Sequence, residues 1–276
     1  MNKTTQLTEV ATRRRSFSDK FLKNTVRCWF IMAVLGQWIF AIYVSGFYAG
    51  NAINGNFEEW KKALPHGLGK GDPVGNAAIM IHVFLAIIII VGGPLQFVPY
   101  LQRKFRKFHR WNGRIYTLMM FLVSTAGLYM VWITGSGGGP FQYAGLTLDT
   151  ILIFWFGILA WRTAIKRKFV AHSRWAFRLF LAGIGVWFAR VGYMAWVLLH
   201  QGFGFNSKTY FTEFFDIWSF AQYLLPLLLF EIYIRVKSGS RKTPKYVLGG
   251  TLILFTLIMV VGIFGATIGI WIPLLR

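Results

Sequence analysis

The sequence predicts an all-α, polytopic membrane protein, a bundle of seven transmembrane helices with the amino terminus inside and the carboxyl terminus outside. Three observations predict it. Hydrophobic residues make up 55% and aromatic residues 18% of the 276 positions, with a mean hydropathy of +0.51, a balance outside that of soluble domains. Seven apolar runs each reach the roughly 20 residues that a helix needs to cross a bilayer core. The Lys and Arg residues behind a formal net charge of +21 fall in clusters within alternate connections, the pattern of the positive-inside rule.

Residues 1–26 read as a cytoplasmic basic tail carrying Arg13, Arg14 and Arg15, and 27–276 as the transmembrane domain. The first run, 27–49, is too long for a signal-peptide core and no small-residue cleavage pattern follows it, so it reads as a retained anchor. The remaining spans are expected at about 76–100, 112–134, 146–165, 175–199, 216–236 and 246–273. Turn-like or charged residues separate them, as in Gly135 to Pro140 and Lys237-Ser238-Gly239-Ser240. Basic residues crowd the tail and the second-to-third, fourth-to-fifth and sixth-to-seventh connections, whereas the other side holds few, among them Lys61, Lys62 and Lys208. On a soluble surface such a charge would suggest nucleic acid. Here it sets topology, so the expected partner is the lipid bilayer of a bacterial inner membrane, and nucleic acid is not expected. Cys28 stands alone, which excludes an intrachain disulfide and a thiolate metal cluster.

Polar groups at membrane depth are costly and carry the candidate chemistry. In the second span, His82 and Gln96 lie fourteen residues apart, which returns them to nearly one helix face about 21 Å apart. Gly92 and Gly93 near that face allow a neighbouring helix to approach. Asp149 in the fourth span and Arg190 in the fifth fall with His82 in the outer third. Either the three form one cluster, or Asp149 and Arg190 make a structural ion pair with His82 as a hydrogen-bonding neighbour.

At the inner boundary, His109, Arg110, Arg114 and Tyr116 open the third span, and His172, Arg174 and Arg178 open the fifth. Topological anchoring by Arg with Trp111 and Trp175 at the interface is one account. The other is an anion site at two helix starts, since Lys and Arg suffice for topology and histidine adds little charge at neutral pH. In the sixth span Pro226 is expected to kink the helix. Glu231 is placed to neutralise Arg178, to hold His172, or to reach the interface alone.

The order His82, Gly93, Gln96-Phe97, Arg103, His109-Arg110-x-x-Gly113-Arg114-x-Tyr116, then His172, Trp175 and Arg178 resembles the bacterial family of predicted membrane proteins labelled domain of unknown function 2306. The resemblance covers roughly residues 76–200 and its most specific part is His-Arg-x-x-Gly-Arg-x-Tyr. It implies that these are site positions, and it implies no activity.

Four functions remain open on the residues. A b-type haem needs two histidines facing each other at one depth, which His109 and His172 supply at the inner edge. A quinone or anionic lipid-like ligand would use His109, His172, Arg110, Arg114 and Arg178. Proton-coupled transport would use His82, Asp149, Arg190 and Gln96, although the sequence predicts no broken helix of the kind many transporters carry. An assembly protein would need no chemistry. Gly-x-Ser-x-Gly, Walker and His-Glu-x-x-His signatures are absent from the sequence. A metal held by His109, His172 and Glu231 has acceptable ligand chemistry but no constraining spacing.

Overall fold

The computed structural model describes residues 16–63, 72–133, 135, 139–200 and 208–276, without the side chains of 208–212. The tail arginines, the glycine-rich stretch around Gly67, His66, residues 136–138 of the Gly135 to Pro140 turn and the aromatic stretch 201–207 lie outside them. The described chain holds nine α-helices of six residues or more: α1 (Phe17–Val44), α2 (Pro73–Leu95), α3 (Pro99–Lys104), α4 (Arg106–Trp132), α5 (Pro140–Ile165), α6 (Phe169–Gly183), α7 (Gly185–His200), α8 (Lys208–Ser238) and α9 (Thr243–Ala266). A π turn at Ser45–Ala49 carries α1 on to Ile53, and another at Thr267–Trp271 carries α9 on to Leu275. Among the described residues six helices are long and apolar enough to cross a membrane, and α6 with α7 forms a bent pair that makes a seventh crossing if taken as one span.

Helix starts lie earlier than apolarity alone suggests. α1 begins at Phe17, ahead of the apolar run at 27, because Ser16 and Asp19 form a reciprocal capping box. α4 begins at Arg106 and α6 at Phe169, so His109 and His172 sit inside first turns rather than on loops. A tight connection makes this possible, with Arg167 in the left-handed region at φ 55° between α5 and α6.

The fifth span departs from expectation. In place of one continuous helix over 175–199, α6 and α7 meet at Ile184 with a bend of 49°. Glycine on each side of Ile184 has low helix propensity, and Ile184 itself leaves the helical region at φ −92°, ψ 4°. The chain at the break is tightly enclosed, for Leu179, Phe180, Leu181, Ala182 and Ile184 are all 2% exposed or less. α6 packs on α5 and α8, and α7 packs on α9 and α8, so the bent pair forms the inner column. Around it α2 lies along α4, α4 along α5, and α1 along both α2 and α9. α8 runs as one helix through Pro226.

Only 22% to 44% of the apolar window of each long helix is buried, and side chains such as Ile42, Trp155, Leu257 and Phe264 lie open. That surface is natural in lipid and untenable in water. At one end, which carries Arg103, Arg106, Arg110, Arg174, Lys237 and Lys242 and is called the basic face below, Lys245 of α9 pairs with Asp19 of α1 at 2.6 Å. At the opposite end, a 3-10 turn at Phe57–Lys62 folds the fully buried Trp60 against Tyr48 and Phe84.

Between lipid-solvated helices, close contact comes from small residues. A Cβ on Gly262 of α9 would stand 2.1 Å from the Val191 carbonyl oxygen of α7, and one on Gly145 of α5 would stand 2.9 Å from that of Ser219 in α8. Gly262→Ala must therefore separate two backbones, and it lowers stability by about 1–3 kcal/mol. Gly250→Ala, with nothing within 4 Å of the new methyl group, raises it slightly through helix propensity. Thermal unfolding of both variants in detergent checks the contrast.

Candidate functional site

The element His109-Arg110-Trp111-Asn112-Gly113-Arg114-Ile115-Tyr116 divides by helix face. His109, Asn112, Gly113 and Tyr116 recur three or four residues apart and turn inward, whereas Arg110, Trp111 and Arg114 are exposed. The inward set packs on the end of α2. Asn112 donates Nδ2–H to the Gly92 carbonyl at 2.9 Å, the Gln96 side-chain oxygen stands 3.2 Å from the place of a Cβ on Gly113, and the Tyr116 ring lies against Gly93. Gly92 and Gly93 thus admit α4, and the polar face of α2 is the face that meets it. At the other end of that face His82 hydrogen-bonds through Nδ1 to the Val123 carbonyl of α4 at 3.1 Å. A carbonyl only accepts, so Nδ1 carries the proton and Nε2 is left as an acceptor.

The two basic-face histidines approach one another within electrostatic reach. His172 donates Nδ1–H to the Ala160 carbonyl of α5 at 3.0 Å, which directs its Nε2 for other use. His109 Nδ1, Gln96 Nε2 and the Tyr116 hydroxyl are buried without a hydrogen-bond partner. Unpaired buried polar groups are rare in folded proteins and mark places where water or a ligand belongs. Tyr116 also reaches the helix break, its hydroxyl standing 3.4 Å from the place of a Cβ on Gly183.

The arginines take different roles. Arg114 stacks over the exposed ring of Trp111 at 5.2 Å, the arrangement of an interfacial anchor. Arg178 is held inside, donating Nε–H to Glu231 at 2.6 Å with its guanidinium 4.4 Å from the Trp175 ring centre. Of the three places open to Glu231, the structure selects the pair with Arg178. Among the described residues no three His, Cys, Asp or Glu side chains gather as a metal-binding group.

Asp149 and Arg190 form no ion pair. Asp149 is 4% exposed, with Oδ1 unpartnered and Oδ2 3.2 Å from the place of a Cβ on Gly185, where Tyr223 of α8 also packs. Its carboxyl group therefore sits buried against the first residue of α7. Tyr223 donates its hydroxyl to the Gly145 carbonyl at 3.1 Å, closing this layer. Arg190 points elsewhere, with Nη1 on the Val186 carbonyl at 3.0 Å, its guanidinium over Phe40 at 5.3 Å, and His82 within electrostatic reach. Asp149 meets α7 at Gly185, five residues before Arg190 and on another face of that helix.

Residues 79–234 match the family model described as "Predicted membrane protein (DUF2306)". The chain belongs to this family. No curated protein and no solved structure matches. Every candidate position from His82 to Glu231 lies within the matched region of the DUF2306 chain, while α1 and α9 lie outside it. Asn112 escaped the sequence reading although it lies inside the His-Arg motif, because a single amide carries no periodic signal. Gln37 escaped it as well, buried at 0% exposure in α1 with neither side-chain polar atom paired.

Asp149→Asn keeps the shape and removes the buried ionisable group. With no cation beside the carboxyl group, this substitution leaves the melting temperature unchanged or higher, whereas Asp149→Leu, which crowds Gly185 and Tyr223, lowers it. Parallel thermal unfolding of the two variants reads the difference.

Proposed function

We propose that this membrane protein binds, within the bilayer, a lipid-soluble molecule with an anionic or hydrogen-bond-accepting head, of the quinone or lipid-headgroup kind. One observation carries the reading. A cavity of about 790 Å³ lies between α1, α6, α8 and α9, a volume typical of small-molecule sites. Its walls are apolar, with Trp29, Phe177, Phe230 and Pro226, and it extends to Leu181 beside the helix break. Its rim on the basic face carries Ser173, Arg174, Lys237 and Ser238. Donors and cations around an apolar interior match an amphiphile whose head accepts hydrogen bonds and whose tail avoids water.

A second opening, of about 820 Å³ between α5 and α8, has Arg178 and Glu231 among its lining residues. Those two already satisfy one another, so that surface suits bulk acyl chains. His172 faces α5 and His109 belongs to α4, and neither lines the 790 Å³ cavity. Their approach supports a narrower form of the same reading, a b-type haem held by both imidazoles, for which a reducible Soret band in purified protein from haem-replete cells is the test. The bent α6–α7 pair beside Asp149 favours proton-coupled transport as a reading of another class. Uptake by proteoliposomes that is lost in Asp149→Asn would support it.

We also infer that the basic face is cytoplasmic and the membrane a bacterial inner one, with the amino terminus inside and the carboxyl terminus outside, from the clustering of Lys and Arg at that end. Reporter fusions after Ser240 and after Arg276 test the orientation by opposite activities.

Lipid extracts of protein purified in mild detergent are expected to contain a stoichiometric acidic lipid or quinone. The double substitution Arg174→Ala with Lys237→Ala lowers its retention about tenfold or more, the scale of losing charge-assisted hydrogen bonds. Leu181→Trp, which fills the deep end, removes it. Equal retention in all three proteins, measured by mass spectrometry, would reject this function.

A further inference from the structure

The 790 Å³ cavity is graded along its length. On α8 its lining residues recur every three or four positions, from Lys237 through Tyr233, Phe230 and Leu229 to Pro226, so one helix face supplies this wall. Eleven residues separate Lys237 from Pro226, about 16 Å by helix rise, against about 15 Å for the hydrocarbon of one leaflet. On α6 the facing wall descends from Ser173 and Arg174 through Phe177 to Leu181. On both walls every lining residue deeper than Tyr233 and Arg174 is apolar. The cavity is thus a slot one leaflet deep with its polar groups at one end.

The mouth is positive and unneutralised. No Asp or Glu lines the cavity. Glu231, although it lies on α8 among the lining residues, turns to the other side and holds Arg178. Arg174 and Lys237 are exposed, and among the described residues neither pairs with a carboxylate. Lys237 is nonetheless positioned, because its ammonium lies over the Tyr233 ring at 5.4 Å and Tyr233 is itself part of the wall. Phe169 and Val170, the first two residues of α6, also line the mouth, and Lys168 before them supplies no side-chain cap. The first N–H groups of that helix add donors to the two cations.

We propose, resting on the reading of this cavity as a ligand site, that its occupant is an anionic phospholipid, with the phosphate at the mouth and one acyl chain laid along the slot. The second chain stays in bulk lipid. Charge and shape select this class. A quinone is neutral and leaves both cations without a counterion. A zwitterionic phospholipid brings its own cation to a mouth that already has two. A fatty acid presents two oxygens in one plane, which a single guanidinium fork satisfies, whereas Arg174 and Lys237 come from different helices and suit the several oxygens of a tetrahedral phosphate.

Native mass spectrometry of the full chain in mild detergent tests the proposal, with dioleoyl phosphatidylglycerol, dioleoyl phosphatidylcholine, oleate and ubiquinone titrated separately. Phosphatidylglycerol is expected to bind one to one and at least about tenfold more tightly than the other three, the scale of a charge-assisted hydrogen bond. Arg174→Gln with Lys237→Gln removes that preference and leaves phosphatidylcholine nearly unchanged. Lys104→Gln with Lys107→Gln takes the same charge from exposed positions outside the cavity and keeps the preference, which separates the site from general attraction to a basic surface. Leu181→Trp and Leu229→Trp fill the slot, and either one that folds weakens phosphatidylglycerol at least about tenfold. Equal binding of phosphatidylglycerol and phosphatidylcholine, equal losses in the two paired Gln variants, or unchanged binding in a folded Trp variant overturns the proposal. Tighter binding of ubiquinone or oleate that a Trp variant abolishes overturns the phospholipid assignment and leaves the ligand-binding function standing. Retention of no amphiphile rejects both.

Discussion

Two apolar helices in a bilayer gain little by hiding side chains from lipid that is equally apolar, and this bundle depends instead on close backbone approach at glycine. Gly262 brings α9 to the Val191 carbonyl of α7, and Gly145 brings α5 to the backbone of Ser219 in α8. Gly92 and Gly93 bring α4 to α2, where Asn112 closes the contact with a hydrogen bond to the Gly92 carbonyl. Short separations let dispersion and side-chain-to-backbone hydrogen bonds supply the cohesion that water supplies to a soluble core. The same separations enclose the polar groups, since a helix that approaches at glycine carries its neighbouring His, Asn and Tyr inward.

The bend between α6 and α7 follows from that packing. A straight helix at the centre of the ring would give every outer helix the same partner. The break at Ile184 gives α6 to α5 and α8 and gives α7 to α9 and α8, so the two halves of the molecule contact different neighbours. Asp149 meets α7 at Gly185, while Arg190 leaves α7 on another face, toward Phe40. A carboxylate and a guanidinium from adjacent spans are thereby held apart, and each is left with unused hydrogen-bonding capacity. Membrane proteins bear such costs at sites that something else occupies.

Polarity is distributed in three layers. The basic face has His109 and His172, and on the other side of α6 a rim with Arg174 and Lys237. The middle has Asp149 and Tyr223 at the helix break. The layer toward the opposite end has Arg190, His82, Gln37 and Trp187. The His-Arg motif, which by sequence is one unit, serves two purposes because helical geometry sends its His, Asn, Gly and Tyr inward and its Arg and Trp outward.

Sequence by itself determined the all-helical membrane class, the approximate spans, the sharing of one α2 face by His82 and Gln96, and the DUF2306 resemblance. These depend on run length, on the 3.6-residue period and on residue order, which are local properties of the chain. Tertiary structure alone decided the bend at Ile184, the Arg178–Glu231 pair and the separation of Asp149 from Arg190. It also decided the burial of Gln37. Gly183 and Gly185 were visible, but glycine in a membrane helix serves close packing as often as it breaks the helix, and only the neighbours distinguish the two. Depth placed Asp149 and Arg190 together because depth is one coordinate; whether two groups at one depth meet is set by rotation about each helix axis, which packing fixes and composition does not.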